Sequence, residues 1–473
     1  MNQDVEQPSN IGLRTTRQFD MIVVGGGAGG LAAARAAVRL GATTVLVQDG
    51  RVGGDCTFTG CVPSKALIEA AKRGRSFSDA MTAVHRAVEE IAATETPARL
   101  AAEGLEVLGG RARFVGPREV HVDGLRLRGR RIVLATGAQA AVPPIQGLRD
   151  TRYLTNENVF ELETAPPSLA VLGGGAIGCE LAQAFRRFGT KVTVVEALPR
   201  LLAREEPEAS AVIEQTFSDE GVDVRTARSV TRVEALPDGT SRLHLEGSDG
   251  TETVTAAQVL VAVGRRAVTA GLDPQAGGVE TDDRGFVKTD AHMRTTAKGV
   301  FAVGDVAGSL QFTHAADEMG RIAAHNALAR PPRKRFIPSW IPAVTYTTPE
   351  VARVGLTEAE ASHHGGRVAY LPMSELDRAI VAGETAGFVK LIAGPRSLLR
   401  NAGGGRILGA TVVAMRGGEL IHEPVLAMRT NMFAGRLAAS VHAYPTWSMA
   451  IQQAAAQFFM EIGGRSARPA RAD

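Results

Sequence analysis

Cysteine is rare in this chain, yet two of its three cysteines stand close together in the segment GGDCTFTGCVPSKALI. Four residues separate Cys56 from Cys61, and Pro63 follows where the first turn of a helix is expected. A thiol at a helix N-terminus feels the positive end of the helix dipole, which lowers its pKa and favours the reactive thiolate. In a reducing cytosol, such a close pair indicates catalysis or metal binding rather than a structural clamp.

A metal site and a pair of inert buried cysteines are the alternatives to a reactive thiol pair. Zinc needs about four ligands, but Cys179 lies far along the chain and no histidine is near the pair in the sequence. We therefore expect no metal among the site residues.

The thiols follow a predicted β–α–β unit. A β-branched run at residues 21–24 leads into the turn Gly25-x-Gly27-x-x-Gly30, then an Ala-rich helix and a second strand at residues 44–48. Backbone N–H groups at such a turn, together with the helix dipole, can hold a pyrophosphate. We expect a bound dinucleotide close to the two cysteines.

The same pattern recurs later in the chain. Gly173-x-Gly175-x-x-Gly178 again separates a strand from a helix, and the next strand ends at Glu196, whose carboxylate can accept both hydroxyls of an adenosine ribose. Gln48 takes that place in the first copy, and its amide oxygen accepts more weakly than a carboxylate. Two such units predict two dinucleotides, for example one resident and one exchanging.

Further segments complete these units. RIVLATGAQA and QVLVAVGRRA are apolar strands that end in glycine. GVFAVGDVAG brings Asp305 to a turn, where an ordinary turn aspartate is the simpler interpretation.

From about residue 338 the pattern changes to antiparallel strands followed by apolar helices. It predicts a separate α+β domain whose apolar helices suit contact between subunits.

Composition limits the function classes. The net charge of +3 is small and dispersed, which argues against nucleic-acid binding. No apolar run reaches the roughly 18–20 residues of a membrane span. The N-terminal residues are polar and lack the apolar core of a signal peptide. We expect a flexible tail on a cytoplasmic protein.

Taken together, these segments resemble the class I pyridine nucleotide-disulfide oxidoreductases, the group of lipoamide dehydrogenase, glutathione reductase and mercuric reductase. The resemblance covers nearly the whole chain after the tail. It rests on GGDCTFTGCVPSKAL, the two glycine motifs, ATG, GRR, FAVGD, HAADEMG, GLTEAEA, ILGA and HAYPT, in the family's order.

The family's architecture is α/β, with two Rossmann-like dinucleotide-binding domains for FAD and NAD(P) and a C-terminal α+β dimerisation domain. The expected segments are a flexible tail at 1–18, an FAD-binding domain at 19–148 and 268–336, an NAD(P)-binding domain at 149–267 and a dimerisation domain at 337–473. The resemblance thus implies a homodimer.

The resemblance also assigns site residues. For FAD it implies Gly25, Gly27, Gly30, Gln48, Gly54, Lys65, Ala112, Thr136, Gly137, Asp305 and His314. For NADH, with NADPH as the alternative, it implies Gly173, Gly175, Gly178, Glu196 and Gly264. Arg200 and Arg204 leave room for the NADPH alternative.

The catalytic assignments follow in the same way. Cys61 would face the flavin and Cys56 would exchange with substrate, while Lys65 and Glu180 would form an ion pair beside the flavin. Electrons would pass from NAD(P)H through FAD to a redox-active disulfide of Cys56 with Cys61. The final acceptor is a small molecule: a disulfide, a metal ion or a quinone.

One segment departs from the family. Disulfide-reducing members carry a catalytic His before Pro-Thr and a Glu five residues after it, but Tyr444 and Met449 occupy these places. Tyrosine, with a pKa of about 10, is a poor base near neutral pH. His442 could substitute, or it could simply be packed or solvated at an interface. The chain also has no cysteine after Cys179, whereas mercuric reductases carry a C-terminal cysteine pair.

Four interpretations remain open. The leading one is an FAD-dependent NAD(P)H oxidoreductase that uses the thiol pair. The second is lipoamide dehydrogenase or mercuric reductase proper, and the third is a quinone reductase or transhydrogenase-like flavoenzyme. The fourth, from another class, is a non-catalytic flavin-bearing redox sensor, which would not need the second nucleotide fold.

Overall fold

The computed structural model describes residues 16–395 and 401–472. They form two compact units, the first made of residues up to 54 with 92–138 and 266–336, and the second of residues 55–91, 139–265 and those from 337 on. Most of the predicted N-terminal tail, residues 1–15, lies outside the described residues.

The first unit is built on a mainly parallel sheet. Its strands are Thr16–Val24, Thr44–Gln48, Glu106–Gly109, Ala112–Gly116, Glu119–Val122, Leu125–Leu134 and Val300–Ala302. Its α-helices are Ala28–Arg39, Pro97–Ala102 and Thr313–Leu328, with 3-10 turns at Pro274–Gly277 and Gly304–Ala307. The first predicted strand begins earlier than expected, at Thr16, and the second matches its predicted bounds.

Parallel pairing gathers the predicted cofactor residues of this unit at one edge of the sheet. Strand Thr16–Val24 pairs in parallel with Thr44–Gln48 and with Leu125–Leu134, which in turn pairs in parallel with Val300–Ala302. The carboxyl ends of parallel strands meet at the same edge, where ligands of such sheets bind. The first glycine turn, Gln48, the ATG segment and Asp305 all follow these ends.

The second unit contains a parallel sheet and two antiparallel sheets. The parallel sheet comprises Asp223–Arg225, Lys191–Val195, Ser168–Leu172 and Gln258–Val261 in that spatial order. The first antiparallel sheet comprises Ser229–Ala235, Ser241–Gly247 and Gly250–Ala256. The second comprises Ala343–Thr345, Glu350–Gly355, Arg406–Ala414, Phe388–Gly394, Arg367–Pro372 and Arg468–Pro469. Short strands Ala138–Ala140 and Arg265–Ala267 lie where the chain passes between units.

Helices cover these sheets. The α-helices are Gly54–Phe58, Cys61–Lys72, Phe77–Ala92, Ala176–Arg187, Pro207–Glu220, Glu358–Ser362, Asp377–Ala382, Gly417–Leu420, His422–Arg429, Ala434–Ala439 and Met449–Ala456. The 3-10 turns are Leu148–Asp150, Val159–Glu161, Pro338–Trp340, Met373–Glu375 and Ala402–Gly404. The predicted fold class, α/β with a C-terminal α+β part, is confirmed. Within the described ranges, no helix is long and apolar enough to cross a membrane.

Candidate active site

The two glycine turns bring backbone atoms too close together for any side chain. A Cβ on Gly30 would lie 1.8 Å from the carbonyl oxygen of Gly25, and a Cβ on Gly178 would lie 1.9 Å from that of Gly173. Among the described residues, no side chain caps the first N–H groups of the helices that begin after Gly27 and Gly175. Both helix N-termini therefore offer backbone donors to a phosphate.

Gln48 supports the first turn directly. Its Oε1 accepts a hydrogen bond from the N–H of Gly26 at 2.5 Å, and its Nε2 donates to the carbonyl oxygen of Asp49 at 2.7 Å. One of the acceptor sites expected to face a ribose thus holds the turn instead. An amide oxygen has a second lone pair, so the predicted ribose contact stays open.

The other predicted FAD residues surround the same sheet edge. Thr136 Oγ1 is shielded from solvent and has no hydrogen-bond partner in the described part of the chain. Asp305 lies half-buried in the turn Gly304–Ala307, Ala112 is buried at the start of its strand, and His314 is exposed near the start of a helix. The unsatisfied hydroxyl of Thr136 and the uncapped helix N-terminus fit a dinucleotide such as FAD.

Glu196 plays for the second turn the part that Gln48 plays for the first. Its Oε2 accepts from the N–H of Gly174 at 2.6 Å and its Oε1 accepts from the N–H of Leu198 at 2.7 Å. The carboxylate is therefore held at the end of its strand, with further lone pairs for ribose hydroxyls. Gly264 follows the neighbouring strand Gln258–Val261, and its carbonyl accepts from Ala141 at 2.9 Å.

The two arginines near this turn differ in whether nearby groups already bind their guanidinium groups. Arg200 donates to the carbonyls of Glu205 and Ala203 at 2.9 and 3.0 Å and to Ser210 Oγ at 3.2 Å. Its guanidinium is thus committed to the local loop, whereas Arg204 is exposed.

The thiols occupy two different settings. Cys56 is half-buried in the short helix Gly54–Phe58, and Cys61 is the exposed first residue of the helix Cys61–Lys72. The predicted position of a thiol at a helix N-terminus is confirmed for Cys61. Cys179 is fully buried, donates its S–H to the carbonyl of Gly174 at 3.3 Å, and has its pKa raised by burial. Cys179 is therefore chemically inert.

The expected ion pair is present four residues along the helix from Cys61. Lys65 Nζ lies 2.8 Å from Glu180 Oε2, and Glu180 Oε1 accepts from the backbone N–H of Tyr346 at 2.8 Å. Lys65 Nζ also lies 4.6 Å from the centroid of the Tyr346 ring. Burial alone lowers the pKa of Lys65, but the charge and hydrogen bond of Glu180 more than offset it, so the pKa lies above its usual value.

A second charged contact adjoins the thiols, and sequence reasoning missed it. The carboxylate of Asp55 forms an ion pair with Arg265 and accepts from the hydroxyl of Thr59. Asn156, which is buried, donates to the carbonyl of Thr59 at 3.2 Å. Asp55 and Arg265 belong to the motifs GGDC and GRR, but no sequence pattern indicates that residues so far apart in the chain form a pair.

The C-terminal segment HAYPT does not reproduce the family's proton carrier. His442 contacts the carbonyl of Ser440 through Nδ1 at 3.0 Å and Glu423 Oε2 through Nε2 at 3.1 Å, and its side chain is 8% exposed. His442 is therefore packed rather than solvated, with a carboxylate partner that the sequence did not suggest.

Tyr444 is exposed, and Asp377 is the carboxylate that acts on its hydroxyl. The hydrogen bond to this carboxylate and its charge raise the pKa of Tyr444. Met449, at the place of the family's Glu, begins a helix and packs against the C-terminal core. At neutral pH, Tyr444 is consequently ionised even less often than an ordinary tyrosine, so it is less available to accept a proton.

Comparison with known proteins decides the family. The model of the pyridine nucleotide-disulphide oxidoreductases matches residues 19–320, and the dimerisation domain of the same family matches residues 341–455. The chain belongs to this family. It is a flavin-dependent enzyme that uses FAD and NAD(P)H.

Similar proteins carry two different activities in their names. The chain is 36% identical to a mercuric reductase of Streptomyces lividans, covering 94% of this chain and 97% of the relative. It is 35% identical to a dihydrolipoyl dehydrogenase of Thermus scotoductus, covering 93% and 97%. A Cu(II) complex of the flavoprotein disulfide reductase RclA from Escherichia coli superimposes with a TM-score of 0.84 at 28% identity, covering 93% and 99%.

The dimerisation domain supports a homodimer. Large apolar side chains are exposed in this part of the chain, including Leu426 and Val441. Such residues are usual where one protomer covers another.

Proposed function

We propose that this enzyme uses NADH to reduce a disulfide of Cys56 with Cys61, and that the resulting thiols reduce a thiophilic metal ion. The choice of acceptor rests on one observation: in the described part of the C-terminal segment, no side chain is available to carry a proton. His442 has both ring nitrogens in contact with acceptors. The pKa of Tyr444 is raised by the nearby Asp377 carboxylate, so its hydroxyl stays protonated near neutral pH. Neither group is prepared to exchange a proton with a thiol substrate.

The residues divide into three roles. The uncapped helix N-termini at the two glycine turns and the Thr136 hydroxyl would hold the dinucleotides. FAD, when bound, supplies two-electron transfer between a nicotinamide and a disulfide. Lys65 keeps its positive charge through Glu180, and a cation near the helix that begins at Cys61 favours the thiolate form of that cysteine.

The second turn favours NADH over NADPH. The Glu196 carboxylate is fixed at the strand end, where it would accept ribose hydroxyls and repel a 2′-phosphate. Arg200, the nearer candidate for binding that phosphate, is committed to the carbonyls of its own loop.

A metal ion can be reduced at a site that has no group to carry protons. When two thiolates form an S–S bond they release two electrons, which convert one Hg(II) to Hg(0) or two Cu(II) to two Cu(I). No proton has to be delivered. Reduction of a disulfide substrate instead releases a thiolate that an acid must protonate. The names of the mercuric reductase relatives and of the Cu(II)-bound neighbour support this acceptor class.

Dihydrolipoamide oxidation is the second candidate, and one observation favours it. The contact of His442 with Glu423 is an imidazole–carboxylate pair of the kind that orients a catalytic base. It would require the imidazole to leave one of its two present partners.

The test compares acceptors in the same preparation. NADH oxidation would be followed with Hg(II) supplied as a thiol complex, and separately with Cu(II) supplied as an amino-acid complex without free thiol. Hg(0) vapour or Cu(I) chelation would be the product assay. Dihydrolipoamide with NAD+ would be the alternative substrate. We expect metal turnover that is lost in Cys56→Ser and Cys61→Ser and kept in Cys179→Ala. Efficient dihydrolipoamide turnover with no metal product would overturn the proposed acceptor.

A further inference from the structure

The residue directly before Cys56 is a charged one with an ionic partner from a distant segment. Asp55 lies in the short helix Gly54–Phe58, and its Oδ2 pairs with a terminal nitrogen of Arg265. The Arg265 side chain is 13% exposed and that of Asp55 is 33% exposed. The contact is thus largely shielded from solvent, where an ion pair is stronger than at the surface.

The same carboxylate also shapes the turn between the two cysteines. Asp55 Oδ1 accepts from the Thr59 hydroxyl, and the carbonyl of Asp55 accepts from the N–H of Thr59 at 2.9 Å. Asn156 holds the carbonyl of Thr59 from another part of the chain, at 3.2 Å. The segment between Cys56 and Cys61 is therefore held by Asp55 from within and by Asn156 from a distant part of the chain.

Arg265 reaches Asp55 from the nucleotide-binding side of the second unit. It follows Gly264, which comes after the last strand of the parallel sheet, Gln258–Val261. A shift of the strand Arg265–Ala267 would move the guanidinium that pairs with the Asp55 carboxylate.

We propose that Asp55 and Arg265 form a positioning pair for the redox thiols. Arg265 fixes the helix that carries Cys56 and cancels the negative charge that Asp55 would otherwise place beside this cysteine. This inference rests on the proposed role of Cys56 as the thiol that exchanges electrons with the acceptor. Neither residue touches the acceptor; both act on it through Cys56.

Removing either charge of the pair should shift the pKa of the Cys56 thiol, in opposite directions for Asp55 and Arg265. Removing the Arg265 charge leaves an unpaired carboxylate beside Cys56, which disfavours the thiolate and raises the pKa of the thiol. Removing the Asp55 charge takes a carboxylate away from beside Cys56, which favours the thiolate and lowers that pKa. A purely structural contact would instead loosen the turn and change reactivity in the same direction in both variants.

The experiment measures Cys56 alkylation by iodoacetamide across pH, using the full-length FAD-bound protein reduced with dithiothreitol and mass spectrometry of the Cys56 peptide. At neutral pH we expect Arg265→Gln to slow alkylation about three- to tenfold and Asp55→Asn to accelerate it by a similar factor. The double variant Asp55→Asn/Arg265→Gln should return near the unmodified protein. The neighbouring exposed Arg266, changed to Gln, is the matched control and should have little effect.

The outcomes separate this inference from the proposed function. Chemical reduction bypasses NADH, so the alkylation rates test the pair even if NADH fails to reduce the disulfide. Shifts of the same sign in both single variants, or a double variant slower than either, would overturn the positioning role. Failure of NADH to expose the two thiols in the unmodified protein would instead contradict the proposed function.

Discussion

The ring nitrogens of His442 face two acceptors, Ser440 O and Glu423 Oε2. A neutral imidazole has one N–H and can donate to only one of them. The segment therefore provides a well-held histidine, but one whose nitrogens are already in use. Tyr444, in the position of the family's base, is exposed, and Asp377 raises its pKa. At the scale of single residues, the part of the site that the structure describes therefore lacks an available acid or base for proton transfer to or from a thiol substrate.

We expect dihydrolipoamide turnover to be poor in the unmodified enzyme and to recover partly in Tyr444→His/Met449→Glu. General acid–base catalysis typically contributes about 10²–10⁴-fold, so the recovery should be a sizeable part of that range. Either substitution alone should do less, because groups that act as a unit are not additive. Stopped-flow separation of the two half-reactions checks this, since only reduction of the enzyme by dihydrolipoamide involves the segment, whereas reoxidation by NAD+ does not.

His442→Ala provides the control for this prediction. If His442 is only a packed residue, the variant keeps metal-dependent turnover and loses some stability. A collapse of dihydrolipoamide turnover in His442→Ala, from a high value in the unmodified enzyme, would show that His442 with Glu423 already serves as the base.

At the scale of elements, the thiol-bearing helix is held by its own ion pair. Helix Cys61–Lys72 packs against helix Ala176–Arg187, and Lys65 with Glu180 bridges them. The Glu180 side chain is 5% exposed while that of Lys65 is 33% exposed, so the two partners are not equivalent. Loss of the lysine leaves the more deeply buried charge without compensation.

Lys65→Met should therefore destabilise the protein more than Glu180→Gln. Breaking a buried pair by removing one partner typically costs about 3–5 kcal/mol, at the lower end here because Lys65 is partly exposed. A glutamine at position 180 keeps one acceptor oxygen for Lys65 or for the N–H of Tyr346 and leaves no buried carboxylate charge, so its cost should be about 1–3 kcal/mol. Urea unfolding of the two variants and of Lys65→Met/Glu180→Gln measures this. Equal costs, or a double variant less stable than Lys65→Met, would contradict the assigned asymmetry.

Local pattern was a good guide to the elements and a poor one to their contacts. The strands Thr44–Gln48 and Lys191–Val195 and the helix that begins at Cys61 follow from β-branched runs, glycine turns and Pro63. The pairs Asp55–Arg265 and Glu423–His442 join residues from separate elements, and periodicity carries no information about them. The roles of the cofactor residues came from family resemblance and stay predictions, as do the five domain segments.

At the scale of the molecule, a buried cation connects the nucleotide-binding part of the second unit to its C-terminal sheet. Lys390 is 1% exposed, and its Nζ lies 3.0, 2.7 and 3.0 Å from carboxylate oxygens of Glu206, Glu208 and Glu358. Arg468 pairs with Glu358 from the last strand. These ion pairs form a cluster that joins several segments of the chain, so the packing of one segment depends on charges carried by the others.

The stabilising effect of Glu358 should depend on pH. Burial by itself raises the pKa of Glu358, but hydrogen bonds from Arg468 and Lys390 outweigh it and bring the pKa from 4.5 to about 2. Because the folded pKa is the lower one, this stabilisation is complete above the unfolded value and is lost as the pH falls toward about 2. Glu358→Gln should thus lower Tm clearly at pH 7 and less with each step from pH 4.5 downward.

Thermal unfolding of Glu358→Gln and of the exposed control Glu384→Gln, between pH 7 and the lowest pH at which both stay folded, measures this difference. The control should match the unmodified protein throughout. A Glu358→Gln deficit that is unchanged in acid would show that the carboxylate charge is not what stabilises the cluster.

The proposed function depends most on the transfer of electrons from NADH to Cys56 and Cys61. The direct measurement is anaerobic addition of NADH to the oxidised, FAD-bound protein, followed by rapid alkylation and mass spectrometry of the peptides that contain each of the three cysteines. We predict that NADH makes Cys56 and Cys61 alkylatable together, while buried Cys179 stays unmodified. Bleaching of the flavin absorbance by NADH with no change in the alkylation of either Cys56 or Cys61 would contradict the proposed function.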